Sequence, residues 1–267
     1  PLGNVGDASA RLMHALQHAD VIAAEDTRRV RNLAQALGIE ISGRVVSNFD
    51  HNEKDRAQQL IDAAASGTVL VVTDAGMPSV SDPGFRLVSA AIEHGVRVTS
   101  VPGPTAVTTA LAISGMPTDR FCFEGFAPRK QAARTSWLQS LAGEPRTCVF
   151  FESPRRLPDT LSDAVDVLGP DRRAAVCREL TKTHEEIARG TLGELAEWAA
   201  DGVLGEITVV LAGATPTADP DALIAEVIRL VDDDGMRVKD ACAQVVAAHP
   251  GSPSRRELYD AVLRARE

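Results

Sequence analysis

The chain has 267 residues and a formal net charge of 28 − 37 = −9, a length that suits two modest domains, each able to bury a core. Hydrophobic residues at 44% and charged residues at 24% exclude wholesale disorder. The acidic balance excludes a protein that coats nucleic acid by bulk electrostatics, and 4% aromatic residues argue against binding single strands chiefly by base stacking. Neither excludes an enzyme with one local basic surface.

The first half alternates helical and strand-like runs. Asp7 or Ser9 can cap a helix carrying Leu12, Met13 and Leu16, followed by a strand over 20–24. Residues 28–37 read as helix, stopped by Gly38, and 44–47 as strand; 54–66 read as helix, stopped by Gly67, and 68–73 as a buried strand. A helix over 85–94, a strand over 97–101 and a helix over 105–114 complete the half. Strands separated by helices of this length predict a largely parallel sheet covered on both faces. After Ser114-Gly115-Met116-Pro117 a second α/β set begins, with strands over 121–126, 147–151, 174–178 and 206–211. Ser153 and Pro154 suit the N-cap and first turn of a helix running to Leu168. Residues 214–220 read as a linker, and 221–267 as two or three helices without a strand. The predicted boundaries are 1–116, 117–214 and a tail over 220–267.

Cys122, Cys148, Cys177 and Cys242 are scattered, with no C-x-x-C pair, so no metal site is expected and cytoplasmic thiols are. No apolar run approaches the roughly 18 residues of a membrane span, and no signal-peptide pattern opens the chain. The start at Pro1-Leu2-Gly3-Asn4 leads us to expect a β-strand upstream of it.

In parallel α/β sheets, ligands bind outside the carboxyl ends of the strands, and the unusual sequences fall there. They are Glu25-Asp26-Thr27-Arg28-Arg29, Asp50-His51-Asn52-Glu53, Thr73 to Pro78 with Ser81-Asp82-Pro83-Gly84, and Pro102-Gly103-Pro104-Thr105-Ala106. Each alone has a bland reading, as turn chemistry or as acids at a helix N-terminus. Four such loops at four strand ends predict a ligand cleft. Neither G-x-G-x-x-G after a strand nor G-x-x-x-x-G-K-[ST] occurs, so dinucleotide and P-loop readings lack their fingerprints. Pro-rich loops offer few backbone donors to a polyphosphate, whereas carbonyls and Asp74 suit a cationic ligand.

These motifs form an ordered series: Pro-Leu-Gly-Asn at 1–4, Glu-Asp-Thr-Arg at 25–28, His-Asn-Glu at 51–53 and the run 74–84. It continues with Pro-Gly-Pro at 102–104, Asp119-Arg120-Phe121, Glu124-Gly125-Phe126, Phe151-Glu152-Ser153 and Arg178-Glu179-Leu180-Thr181-Lys182. The series closely resembles the ribosomal RNA small subunit methyltransferase I family, within the tetrapyrrole methylase superfamily, over residues 1 to about 213. The resemblance implies two α/β domains with S-adenosylmethionine between them, a homodimer, and 2′-O-methylation of a cytidine ribose in the decoding region of 16S rRNA. It implies cofactor contacts from Asp74, Ala75, Gly76, Met77, Ser79, Thr105 and Ala106, with Phe151, Leu180 and Ile207 enclosing the adenosine.

A ribose hydroxyl attacks well only as its proton leaves, so a base or a nearby cation is needed. The candidates are Glu25, Asp26, Arg28, Glu179 and Lys182, with His51 behind them. Lys182 serves as base only if its pKa is lowered, and otherwise stabilises the developing alkoxide. Arg129, Lys130, Arg134, Arg155 and Arg156 are expected to meet RNA, with Arg237, Lys239, Arg255 and Arg256 in the tail. Two other readings remain open from sequence: a small-molecule, tetrapyrrole-type methylase, and a non-catalytic ribosome-assembly factor on the same fold.

Overall fold

The computed structural model describes residues 1–48, 53–214, 219–249 and 252–266, without the side chains of 53–55; His51 lies outside the described residues. Helix α1 (Ala10–His18) is capped by Ser9, whose side chain accepts from the Leu12 N–H. Strand β1 (Val21–Ala24) leads through the Asp26 cap into α2 (Thr27–Ala36). Then come β2 (Arg44–Ser47), α3 (Glu53–Ala64), β3 (Val69–Val72) and α4 (Phe85–Glu93). The strands form a parallel sheet in the order β2-β1-β3. Fully buried β1 is its centre because apolar side chains pack it on both faces.

The run 97–101, expected as a strand, pairs with no other strand among the described residues. A cavity of about 1140 Å³ lies between it and β3, lined by both. A strand needs a hydrogen-bonded neighbour, and none borders this run. The following helix, α5 (Ala106–Ser114), reads in sequence as the last element of the first half. Its apolar contacts lie elsewhere: Val107, Ala110 and Leu111 pack with Val149, Ala175 and Val210 of the second sheet.

That second sheet contains β4 (Phe121–Phe126), β5 (Thr147–Glu152), β6 (Arg173–Arg178), β7 (Glu186–Thr191) and β8 (Ile207–Leu211). Their order is β4-β5-β8-β6-β7; β4 and β5 are parallel and the other pairs antiparallel. Strand β7 was not legible in sequence because Glu186–Thr191 is a polar edge strand with little apolar alternation. Helices α6 (Gln131–Leu141), α7 (Leu157–Leu168) and α8 (Leu192–Ala199) cover the face opposite α5, burying Leu138, Leu161 and Leu195. Helix α7 starts at Leu157 rather than after Ser153, because residues 153–156 turn first and the Arg156 and Leu157 N–H groups both donate to the Ser153 carbonyl. The tail is three helices, α9 (Pro220–Asp232), α10 (Val238–Ala248) and α11 (Arg255–Ala265), closed around their own core of Leu223, Val227, Cys242, Val245, Leu258 and Val262. Among the described residues no helix is long and apolar enough to cross a membrane.

Candidate functional site

Parallel pairing of β1 with β3 sets two acidic loops side by side. Beyond Ala24 and Val72 the chains diverge, and the Glu25 carboxylate accepts from Thr73 Oγ1 at 2.7 Å and from the Asp74 N–H at 3.0 Å. The Asp26 N–H in turn donates to Asp74 Oδ1 at 3.1 Å. Burial, and then the neighbouring Glu25 carboxylate, push the Asp74 pKa up. The Arg29 guanidinium, 3.3 Å from Asp74 Oδ2, offsets part of that repulsion. Two carboxylates facing one partner arginine leave a surplus of negative charge in the cavity, which favours a cation.

Asp26 plays a different part. It caps α2 through the Arg28 N–H at 2.8 Å and holds the Arg28 side chain, which lowers its pKa to about 2. Arg28 itself is 84% exposed and points away from the cavity. Its expected place is taken by Arg29, which lines it. Adjacent helical residues project about 100° apart, so the cap at Asp26 decides which arginine faces inward.

On the other wall, Lys182 Nζ lies 2.8 Å from Glu179 Oε1 and 3.1 Å from Glu206 Oε2. Burial lowers the lysine pKa, but the hydrogen bonds from the two carboxylates outweigh it and the net shift is upward. That direction favours the ammonium form of Lys182. Glu179 is pushed down by the bond from Lys182 and by the Glu206 N–H. It lines neither cavity; its carboxylate fixes Lys182 and the 205–206 turn. Gly205 permits this approach: its φ is +95°, and a Cβ there would sit 2.3 Å from Glu179 Cγ. Gly205→Ala is expected to lower the unfolding free energy by about 1 kcal/mol or more, seen as an earlier urea midpoint; an unchanged midpoint would contradict the close packing.

A second cavity, of about 370 Å³, lies between the two sheets and has the size of a small-ligand pocket. The 74–77 loop, with Gly76 at φ +86°, forms one side. Thr105 and Ala106 at the start of α5, with Phe151 and Ile207, form the other. Ile207 reaches it because antiparallel β8 begins where β5 and β6 end, in register with Glu152 and Arg178. Ser79 borders the larger cavity at φ +71°, in a loop where Ser81 is also left-handed. Leu180 departs from expectation: it lines neither cavity and is buried in the core with Val107 and Cys177. Glu206 and Arg29 line both cavities; Arg29 lies in the first strand-end loop but is not singled out from it by sequence, and Glu206 reads in sequence only as the start of a strand.

The basic residues divide in two. Arg129, Lys130 and Arg155 are exposed and form no ion pair among the described residues. Arg134 is 5% exposed and bound to Asp163, and Arg156 is tied to buried Glu152, Ser153 and the Ala127 carbonyl. Each of these two guanidiniums links a helix or strand to its neighbour, which sets them apart from the three exposed residues expected beside them at the RNA surface. Arg237, Lys239, Arg255 and Arg256 are exposed at the starts of α10 and α11.

Residues 1–196 match the family described as Tetrapyrrole (Corrin/Porphyrin) Methylases. The chain is 65% identical over 267 residues to a ribosomal RNA small subunit methyltransferase I of Mycobacterium tuberculosis (strain CDC 1551 / Oshkosh), covering 100% of this chain and 93% of that protein. It is 40% identical to the protein of that name from Halalkalibacterium halodurans, covering 97% and 91%. Among solved structures, a diphthine synthase superposes with a TM-score of 0.60 at 17% identity, covering 97% of this chain and 96% of that one. A uroporphyrin-III C-methyltransferase from Thermus thermophilus, complexed with S-adenyl homocysteine, gives 0.53 at 21%, covering 79% and 93%. The chain belongs to the ribosomal RNA small subunit methyltransferase I family, and it is a methyltransferase with the tetrapyrrole methylase fold.

Proposed function

We propose that this protein transfers a methyl group from S-adenosylmethionine to the ribose 2′-hydroxyl of a cytidine in the decoding region of 16S rRNA, within the small ribosomal subunit. The observation that carries the reading is that one cavity is lined by the acidic pair Glu25 and Asp74 and by Lys182, whose Nζ is held between Glu179 and Glu206. The residues present fit the cofactor. Surplus carboxylate charge suits a sulfonium and an ammonium, and Met77, Ala106, Phe151 and Ile207 offer an apolar seat for an adenosine. When bound, S-adenosylmethionine supplies an electrophilic methyl carbon.

The chain's own residues do the rest. The Lys182 ammonium stabilises negative charge on the hydroxyl oxygen as its proton passes to solvent water. Glu179 and Glu206 hold that ammonium in place, while Glu25 orients the Asp74 loop through its main-chain N–H. Asp26 caps α2 and thereby directs Arg29 to Asp74. In this reading residues 1 to about 104 and about 105–214 are two α/β domains, with α5 assigned to the second by its packing, and 220–266 are a helical tail. A second copy of the chain completes a homodimer.

Arg129, Lys130 and Arg155 meet phosphates. Arg129→Ala and Arg155→Ala are each expected to reduce the slope of log affinity against log salt by about 1 for small subunits. Arg134→Ala should leave that slope unchanged; a fall equal to that of Arg129→Ala would overturn the division. The whole reading is tested by calorimetry with S-adenosylmethionine, followed by labelled methyl transfer to purified small subunits. Label passing to a tetrapyrrole-type small molecule but not to subunits would sink it.

A further inference from the structure

Strand β4 carries one residue more than its partner. Phe123 is opposite Val149 and Phe126 opposite Phe151, so three steps on β4 match two on β5. The extra residue is a β-bulge, and Gly125 within it has φ +70°. Side chains alternate along a strand, so residues three apart normally point to opposite faces. The bulge cancels that alternation. Phe123 and Phe126 both lie edge-on to Phe151, with ring centroids 4.9 Å and 5.3 Å away. Phe126 is thereby turned from the face covered by α6 to the face that holds the smaller cavity, where it lines the mouth and stays 58% exposed.

The chain leaving Phe126 carries Arg129 and Lys130, and the chain leaving the adjacent parallel strand β5 carries Arg155. All three are exposed and without ion pairs among the described residues. An exposed aromatic ring, with cations on the loops that leave the same and the adjacent strand, suits an unstacked base of RNA: the ring stacks while the cations take the backbone.

We propose that Phe126 is the stacking platform for a nucleobase of the RNA substrate, aimed into the cleft by the Gly125 bulge. The proposal rests on the RNA-methylation reading above and adds to it a specificity-determining residue. Phe85 is more exposed, at 72%, but Phe85 and Phe121 border neither cavity, whereas Phe126 does.

The test compares Phe126→Ala, Phe126→Leu and Phe126→Tyr with the unmodified protein, using labelled methyl transfer to small subunits and calorimetric S-adenosylmethionine binding. Because the side chain is largely exposed, all three variants should keep the parent melting temperature. Phe126→Ala and Phe126→Leu should lose about tenfold to a hundredfold in kcat/KM for subunits, chiefly through KM, with cofactor Kd unchanged. Phe126→Tyr should retain both. Full kcat/KM in Phe126→Ala, or rescue by Leu as complete as by Tyr, overturns the platform while leaving the methyltransfer reading intact. Loss of cofactor affinity with KM for subunits unchanged overturns it in favour of an adenosine wall. If the unmodified protein transfers no label to subunits, the functional reading fails, and the platform with it.

Discussion

Lys182→Met is expected to lower single-turnover methyl transfer to small subunits by about a hundredfold, with cofactor affinity unchanged. The size follows from removing one preorganised positive donor at a developing oxyanion, a loss of about 10²–10³ in rate. The geometry explains why methionine is the informative replacement. It keeps the length of the side chain packed against Gly3, where a Cβ would sit 2.4 Å from Lys182 Cγ, while deleting the charge that Glu179 and Glu206 share. The pH profile provides a second readout. The Lys182 pKa is raised, so its charge and the stability it contributes are complete below the ordinary lysine value and are lost as pH rises through the raised one. The Glu179 pKa is lowered, so its contribution is complete above the ordinary glutamate value and is lost as pH falls through the lowered one. The rate of the unmodified protein should therefore show no Lys182 titration across neutral pH. A neutral-range inflection that vanishes in Lys182→Met would reinstate the lysine as a base.

Glu152→Ala is expected to destabilise the fold by about 3–5 kcal/mol, the usual cost of breaking a buried, hydrogen-bonded ion pair. At 2% exposure the Glu152 carboxylate sits at the end of β5, accepting from the Ser153 N–H, from Thr160 Oγ1 at 2.7 Å and from Arg156 at 2.5 Å. It ties the end of the strand, the turn that follows and the second turn of α7 to one point. Removal orphans all three donors at once, and Arg156 loses its hold while still bonded to the Ala127 carbonyl. Since domains are stable by only about 5–15 kcal/mol, urea denaturation should show a midpoint shifted far to the left. A loss under about 1 kcal/mol would mean that the three donors find water or other partners.

The difference between the two arginine pairs shows what spacing cannot supply. Arg28 and Arg29 are equivalent as sequence, and so are Arg155 and Arg156. In the first pair Arg28 holds the nearby Asp26 while Arg29 lines the cavity; in the second, Arg155 is exposed and without an ion pair among the described residues. The inward members, Arg29 and Arg156, are tied to Asp74 and Glu152. Those carboxylates are 45 residues away in one case and four in the other, and neither bond leaves a trace in local periodicity. Arg134 is a stronger instance: on an exposed-looking helix it is buried against Asp163 of the next helix.

The sequence by itself determined the α/β class, most helices and strands, and the loops that carry charge and ring to the strand ends. These follow from short-range rules, in which apolar period separates helix from strand and Gly, Pro and acidic residues punctuate the ends. Only the tertiary structure decided that α5 lies on the second sheet, that 97–101 forms no ladder among the described residues, and that Leu180 packs in the core with Val107 and Cys177. It also decided which carboxylates hold Lys182, Glu179 and Glu206, and the direction of Phe126, through one extra residue in β4. Each of these depends on which distant neighbour supplies a hydrogen bond, a charge or a packing face. Such contacts are settled by the closing of the whole chain and not by the residues on either side.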